Sequence, residues 1–153
     1  MKSFSKLFMI FFLVLAFGVA GGVKGRECAA AEPITLSLAH MNALDNPIHQ
    51  WCMKFKELVE KKTDGKIIVK VYPAAQLGDD NANLESLIHG AIDIVKSNAD
   101  SMSKIAPEWG VFPLPFLFNS YEHAEAAEDG EPGKILSEKL IKERKIRTLC
   151  FIH

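Results

Sequence analysis

Residues 65–80 read GKIIVKVYPAAQLGDD, a strand pattern that stops at a proline and leads into a helix cap. The β-branched run Lys66–Tyr72 predicts a strand, and Pro73 ends it because proline lacks the N–H that a strand ladder needs. Asp79 or Asp80 can then cap a helix, and Gly90 closes that helix. The region therefore predicts a strand, a turn and a helix in close succession.

The segments on either side extend this alternation. Ile34–His40 alternates apolar and small polar residues, as a strand does, and Asn46-Pro47 opens a helix that stops at Gly65. Ala91–Val95 has the pattern of a third strand. We therefore expect an α/β fold with an open, mostly parallel sheet and helices on both faces. The apolar stripe predicted for the first helix consists of Ile48, Trp51, Cys52, Phe55, Leu58 and Val59.

The C-terminal third has a different pattern. Val111–Phe118 is apolar but contains two prolines, so it cannot be a central strand and we expect it to pack irregularly against the sheet. Ser120 caps a short helix over Tyr121–Glu128, and Pro132 starts another. Ile146–Ile152 has the pattern of a fourth strand.

The composition narrows the class of protein. The 153 residues carry 18 Lys and Arg against 19 Asp and Glu, so no basic field favours nucleic acid as a partner. Three cysteines are too few for a disulfide scaffold, and the five histidines are too widely spaced for a local metal clip. No phosphate loop, zinc motif or nucleophile elbow is present, and we expect no cofactor, no metal and no enzyme activity.

The N-terminus has the pattern of an export signal. Lys2 and Lys6 precede the uncharged run Leu7–Val23, and the small residues Ala29 and Ala31 fit a signal peptidase site. A membrane anchor is the alternative, but the run is short for a spanning helix, which needs about 20 residues. We expect residues 1–31 to be a cleaved signal peptide and residues 32–153 to be a periplasmic domain.

Two cysteines remain after this cleavage, in an oxidising compartment. Cys52 and Cys150 could pair, but each lies in an apolar pattern where a buried free thiol is common. We favour two separate core cysteines, with the disulfide as the alternative.

Polar residues follow each predicted strand. They lie at His40–Asn42, Pro73–Asp80 and Lys96–Ser101. In open α/β sheets, ligands bind outside the carboxyl ends of the strands, so these groups are candidates for binding a polar solute. The alternative is that they are ordinary polar loops.

The motifs together resemble the solute-binding proteins of tripartite ATP-independent periplasmic (TRAP) transporters, the DctP-like family. The resemblance covers most of residues 34–152 and implies that residues 32–153 are most of one lobe, a truncated N-terminal lobe, of a two-lobed periplasmic-binding-protein-like fold. It also implies capture of a small organic acid, often a carboxylate. The solute would pass to small and large integral-membrane subunits, and uptake would be driven by an ion gradient. The motifs that carry it are Gly65–Pro73, Gln76–Asp80, Leu84–Leu87, Gly90–Asp93, Pro107-Glu108, Phe112–Phe118 and Asp129–Gly133.

The resemblance also implies which residues line the cleft. By position these are Asn42, Asp80, Asn98 and Ser101. Some members of the family carry charged residues at the last two positions, so the solute is left open. The arginine that clamps the carboxylate in the family would come from beyond His153.

Other functions use the same fold class. A binding protein of an ATP-driven uptake system and an extracytoplasmic sensor domain are the nearest alternatives, and neighbouring genes would discriminate between them. An exported α/β enzyme would need a catalytic group that the sequence does not provide. A membrane-anchored structural module would require that the N-terminus is not cleaved.

Overall fold

A computed structural model of the chain describes residues 32–152. The predicted signal peptide, residues 1–31, lies outside the described residues. The elements are β1 (Ile34–Ala39), α1 (Pro47–Lys62), β2 (Ile67–Tyr72), α2 (Asp80–Ile88), β3 (Ile94–Val95), α3 (Ala99–Ile105), a 3-10 helix (Pro107–Val111), α4 (Tyr121–Glu128) and α5 (Glu131–Arg144).

The three strands form one parallel sheet in the order β2-β1-β3. The chain moves from β1 to β2 in one direction and then crosses back past β1 to reach β3. Because such crossovers are right-handed, α1 and α2 cover opposite faces of the sheet. The predicted architecture, a parallel sheet with helices on both faces, is confirmed.

The helix starts follow from local chemistry. The Asn46 side chain accepts a hydrogen bond from the Ile48 N–H at 2.9 Å, and proline occupies the first turn of α1. The Asp79 side chain accepts from the Ala82 N–H at 2.9 Å, so Asp79 is the cap of α2. Asp80, the other predicted cap, is therefore left without a capping role.

The sheet core lies between α1 and one face of the sheet. Its buried residues are Leu38, Cys52 and Val69, and Phe55 and Val59 of α1 pack against them. The predicted stripe is only partly correct, because Trp51 is 59% exposed and Leu58 is also exposed. The helix turns a narrower face to the sheet than the sequence pattern suggested.

A second cluster, the C-terminal cluster, contains Ala106, Trp109, Phe112 and Leu140. The segment 111–118 therefore contributes Phe112 to this cluster and not to the sheet core, which corrects the expectation that it packs against the sheet. Ile146 and Phe151 pack against the same cluster.

The predicted fourth strand is wrong. Residues 146–152 have no strand pairing, although Ile146 and Phe151 are half-buried. Lys145 adopts a left-handed conformation, with φ of 62°, and turns the chain out of α5. The apolar pattern therefore reflects packing against the C-terminal cluster and not a strand ladder.

Two further predictions need correction. The third strand is reduced from residues 91–95 to Ile94–Val95, and the loop predicted over 96–101 runs into α3. Cys52 and Cys150 are both free, but only Cys52 is buried, and Cys150 is exposed. None of the helices in residues 32–152 is long and apolar enough to cross a membrane.

Candidate functional site

The carboxyl ends of the three strands lie side by side and form one edge of the sheet, here called the carboxyl edge (residues 40–42, 73–80 and 96–98). His40 directly follows β1, and its N–H donates to the Tyr72 carbonyl at 3.1 Å. The Lys96 N–H donates to the Ala39 carbonyl at 3.0 Å on the other side of β1. The ends of all three strands are thus held together by backbone hydrogen bonds.

A tight turn leads from β2 back toward this edge. Ala74 and Ala75 both have positive φ, at 51° and 56°, and reverse the chain after Pro73. Their N–H groups donate to the carbonyls of Asn42 and His40 at 3.0 and 3.2 Å. The turn therefore places the start of α2 beside the end of β1.

Asp80 is the buried acid of the carboxyl edge. It is 4% exposed, and neither carboxylate oxygen has an oriented hydrogen bond within the described residues. Burial raises the pKa of Asp80, and the Lys96 ammonium and the Asn98 backbone N–H oppose this shift. The Asn98 N–H is therefore close enough to the carboxylate to favour its charged form.

His40 is the buried base of the same edge. Its Nε2 lies 3.1 Å from Nδ1 of His49 in the first turn of α1, so one ring donates to the other. Burial lowers the pKa of His40, and His49 and Lys96 lower it further, whereas the Asn42 carbonyl and Asp80 act in the opposite direction. These contacts favour a neutral imidazole at neutral pH.

Lys96 supplies the positive charge of the carboxyl edge. Its Nζ donates to Oδ1 of Asn98 at 2.6 Å. It is close enough to Asp80, His40 and Cys52 to lower the pKa of each. An ammonium at this edge can attract an incoming carboxylate.

The structure brings three of the four predicted site residues to this edge. Asn42 is half-buried and its Oδ1 has no hydrogen-bond partner, Asp80 is buried, and Asn98 is exposed and bonded to Lys96. Ser101 lies one helical turn beyond Asn98 in α3, and no hydrogen bond among the described residues links it to the other three. The assignment of all four to ligand binding stays a prediction.

Sequence reasoning missed the roles of Lys96 and His49. A lysine directly after a strand at the carboxyl edge is a visible signal, but the pairing of His40 with His49 depends on the angle at which α1 leaves the edge. Two shallow depressions lie elsewhere, beside α1 and β2, and are lined by residues such as Met53, Lys56 and Tyr72.

Residues 38–153 match the DctP family, described as bacterial extracellular solute-binding protein, family 7. The chain belongs to this family. It is a family of solute-binding proteins for transport and not a family of enzymes.

Relatives of known function and structure agree with this DctP membership. The chain is similar to the C4-dicarboxylate-binding periplasmic protein DctP of Rhodobacter capsulatus, with 40% identity over 73% of this chain and 34% of the relative. It is similar in structure to the sugar acid binding protein of Advenella mimigardefordensis in complex with galactonate (TM-score 0.70, 35% identity, covering 72% of this chain and 36% of that one).

A third similar structure is a TRAP periplasmic solute-binding protein of Sulfurospirillum deleyianum with bound succinate, with a TM-score of 0.68 and 29% identity over 73% of this chain and 36% of that one. The chain thus spans about a third of the length of the relatives that it matches. The bound acids of these relatives include a dicarboxylate and a polyhydroxy acid, so the family alone does not specify the solute.

Proposed function

We propose that the chain is the extracytoplasmic solute-binding subunit of a TRAP-type secondary transporter and that its carboxyl edge captures a small organic anion, a carboxylate. The observation that carries the proposal is the combination of Lys96 with the buried carboxylate of Asp80 at the carboxyl ends of the strands of a DctP-family sheet. Relatives with 29% and 35% identity hold succinate and galactonate.

The mechanism is capture at a polar edge followed by closure. Lys96 attracts the carboxylate, and the side-chain amides of Asn42 and Asn98 and the hydroxyl of Ser101 can donate hydrogen bonds to it. Asp80 can accept hydrogen bonds only from other groups of the solute. The relatives are longer than this chain, which leaves room for a second lobe. That lobe then covers the anion, excludes water and strengthens each polar contact.

The setting of this capture is also part of the proposal. Residues 1–31 act as a cleaved export signal, and residues 32–153 form the N-terminal lobe in the periplasm. The loaded protein delivers its solute to small and large integral-membrane subunits that use an ion gradient. Membership of an extracellular solute-binding family supports this location.

An NMR titration of the purified, ¹⁵N-labelled chain tests the capture step. Galactonate is expected to shift the amide signals of Asn42, Asp80 and Asn98, with a Kd no tighter than about 1 mM because one edge supplies only part of the contacts of an enclosed site. Galactose, which lacks the carboxylate, is expected to leave these signals in place.

A pair of lysine variants tests the role of the positive charge. Lys96→Met is expected to weaken galactonate binding about fivefold, or ~1 kcal/mol, because a partly exposed ion pair is lost. Lys104→Met removes the same charge from an exposed position in α3 and is expected to have no effect. Equal effects of the two variants, or shifts confined to another surface, would contradict the proposal.

A further inference from the structure

The strand β2 lies at one side of the sheet, because in the order β2-β1-β3 no described strand pairs with its outer side. Successive residues of a strand direct their backbone groups to alternate sides. The carbonyls of Lys66 and Tyr72 accept hydrogen bonds from the β1 side. Ile67, Val69 and Val71 therefore direct their N–H and C=O groups outward, and this outer side of β2 is here called the β2 edge.

The composition of β2 makes an open edge hazardous. Ile67–Tyr72 reads IIVKVY, which contains four β-branched residues and a tyrosine and neither proline nor glycine. Short segments of this kind pair readily with strands of other molecules when their backbone groups are free. Lys70 is the single charged residue of β2, so the strand itself provides little protection.

Side chains of α1 lie along the β2 edge and bond its outward groups. Oε1 of Glu60 accepts a hydrogen bond from the Val69 N–H at 3.1 Å, and Nζ of Lys56 donates to the Val69 carbonyl at 2.9 Å. The Thr63 hydroxyl accepts from the Ile67 N–H at 3.1 Å. Both backbone groups of Val69 thus have the kinds of partner that a neighbouring strand would supply.

An ion pair orients two of these side chains. Nζ of Lys56 donates to Oε1 of Glu60 at 2.6 Å, and both side chains are partly buried. The bonds from Lys56 and from the Val69 N–H lower the pKa of Glu60, so its carboxylate is charged at neutral pH. Lys54 and Glu57 form a second ion pair on α1, at 2.8 Å, but this pair is more exposed and bonds no strand in the described part of the chain.

We infer that Lys56, Glu60 and Thr63 take the place of a neighbouring strand and keep the β2 edge from pairing with a second copy of this chain. Their spacing, i, i+4 and i+7, puts all three on one face of α1. Two identical edges can pair around a two-fold axis, so a second copy is the natural occupant of an unprotected edge. The inference does not depend on the proposed function, because the β2 edge is separate from the carboxyl edge.

The protection ends before Val71. This residue lines a shallow depression with Met53 and Lys56, and no side chain among residues 32–152 bonds its outward N–H. Val69 and Val71 therefore differ in the partner of their outward N–H, although they lie two residues apart on the same strand.

Amide hydrogen exchange of the unmodified, ¹⁵N-labelled chain tests the first half of the inference. At low protein concentration, the Val69 N–H is expected to exchange at least about tenfold more slowly than the Val71 N–H, after correction for intrinsic rates. Equally fast exchange of the two amides would show that α1 does not protect the β2 edge and would overturn the inference.

A double variant tests the second half. Lys56→Met with Glu60→Ala removes both partners of Val69 without changing the net charge. Sedimentation is expected to show self-association at least about tenfold tighter than that of the wild type. With rising concentration, the amide signals of Ile67, Val69 and Val71 should shift. The single variant Glu60→Gln keeps an acceptor for the Val69 N–H and is expected to associate as the wild type does.

The matched control is Lys54→Met with Glu57→Ala, which removes the other ion pair of α1 and is also neutral in net charge. It is expected to associate as the wild type does. Equal association of the two double variants, or concentration-dependent shifts outside β2 alone, would contradict a role for α1 in closing the edge. The amide spectrum of each variant reports whether it is folded, and the exchange measurement on the unmodified chain can refute the inference even if the first double variant is not.

Discussion

At the scale of single residues, the carboxyl edge contains two titratable groups whose burial disfavours their charged forms. Burial raises the pKa of Asp80 and lowers the pKa of His40, so both shifts favour the uncharged forms. Groups of this kind reduce stability, and they are retained where binding needs them. The edge is therefore expected to gain stability when its polar groups are replaced.

Asp80→Asn tests this expectation through the pH dependence of unfolding. Because the pKa of Asp80 is higher in the folded state, the folded chain holds its proton more tightly, and the wild type loses stability as the pH rises through that pKa. At pH 7 the variant is expected to be more stable by on the order of 1 kcal/mol, and the difference should disappear near pH 3. Urea denaturation measures both values.

The control for this measurement is Asp79→Asn, in which an exposed carboxylate is replaced. Its stability relative to the wild type should show no comparable gain at pH 7. A variant Asp80→Asn that is less stable than the wild type at pH 7 would mean that the carboxylate has a stabilising partner in solution.

At the scale of elements, the turn between β2 and α2 determines where Asp80 lies. Gly78 has φ of +119°, a conformation outside the left-handed helical region, and a Cβ there would lie 2.9 Å from the Ala82 Cβ. Gly65 ends the α1 turn with φ of +74°, and a Cβ there would meet nothing within 4 Å. Substitution of Gly78 would therefore cause both backbone strain and a steric clash, whereas substitution of Gly65 would cause backbone strain alone.

Gly78→Ala is expected to lower the free energy of unfolding by about 2–3 kcal/mol, because strain and the contact with Ala82 add together. Gly65→Ala is expected to cost about 1 kcal/mol, the penalty for one alanine in the left-handed region. Chemical denaturation of the two variants measures the difference. Equal costs would show that the turn before α2 relaxes without moving the helix.

The elements that the sequence predicts well are those with local signals. Asn46-Pro47, Gly65 and Asp79 each specify a helix end or a turn by their own backbone or side-chain chemistry, and the structure has α1, β2 and α2 where these residues place them. Ile146–Ile152 has no such signal, because the same apolar pattern suits a strand or a half-buried irregular segment. Tertiary packing on the C-terminal cluster decides between them.

The same distinction applies to the candidate site. Asn42, Asp80 and Asn98 follow from the rule that parallel strands direct their carboxyl ends to one edge, together with the family resemblance. The pairing of His40 with His49 joins residues from a strand end and a helix, and the burial of the Asp80 carboxylate depends on every neighbouring group. Neither can be read from spacing along the chain.

At the scale of the whole molecule, several large apolar side chains are exposed close together in one short segment of the chain. Between residues 111 and 121, Phe116 is 99% exposed and Tyr121 is 91% exposed, and Leu114 is exposed between two prolines. Phe116 also has φ of 62°, which is unfavourable for a bulky residue. Exposed apolar patches of this kind favour association between molecules.

Phe116→Asn tests this association without disturbing the core. Asparagine tolerates a positive φ better than phenylalanine and is polar, so the variant is expected to unfold at the same temperature as the wild type or higher. Sedimentation should show self-association of the wild type at micromolar concentration and about a tenfold weaker association of the variant. Leu44→Asn, at an exposed position near the carboxyl edge, is the control and should associate as the wild type does. A wild type that remains monomeric at high concentration would mean that segment 111–121 is covered in solution by a contact that the described residues do not make.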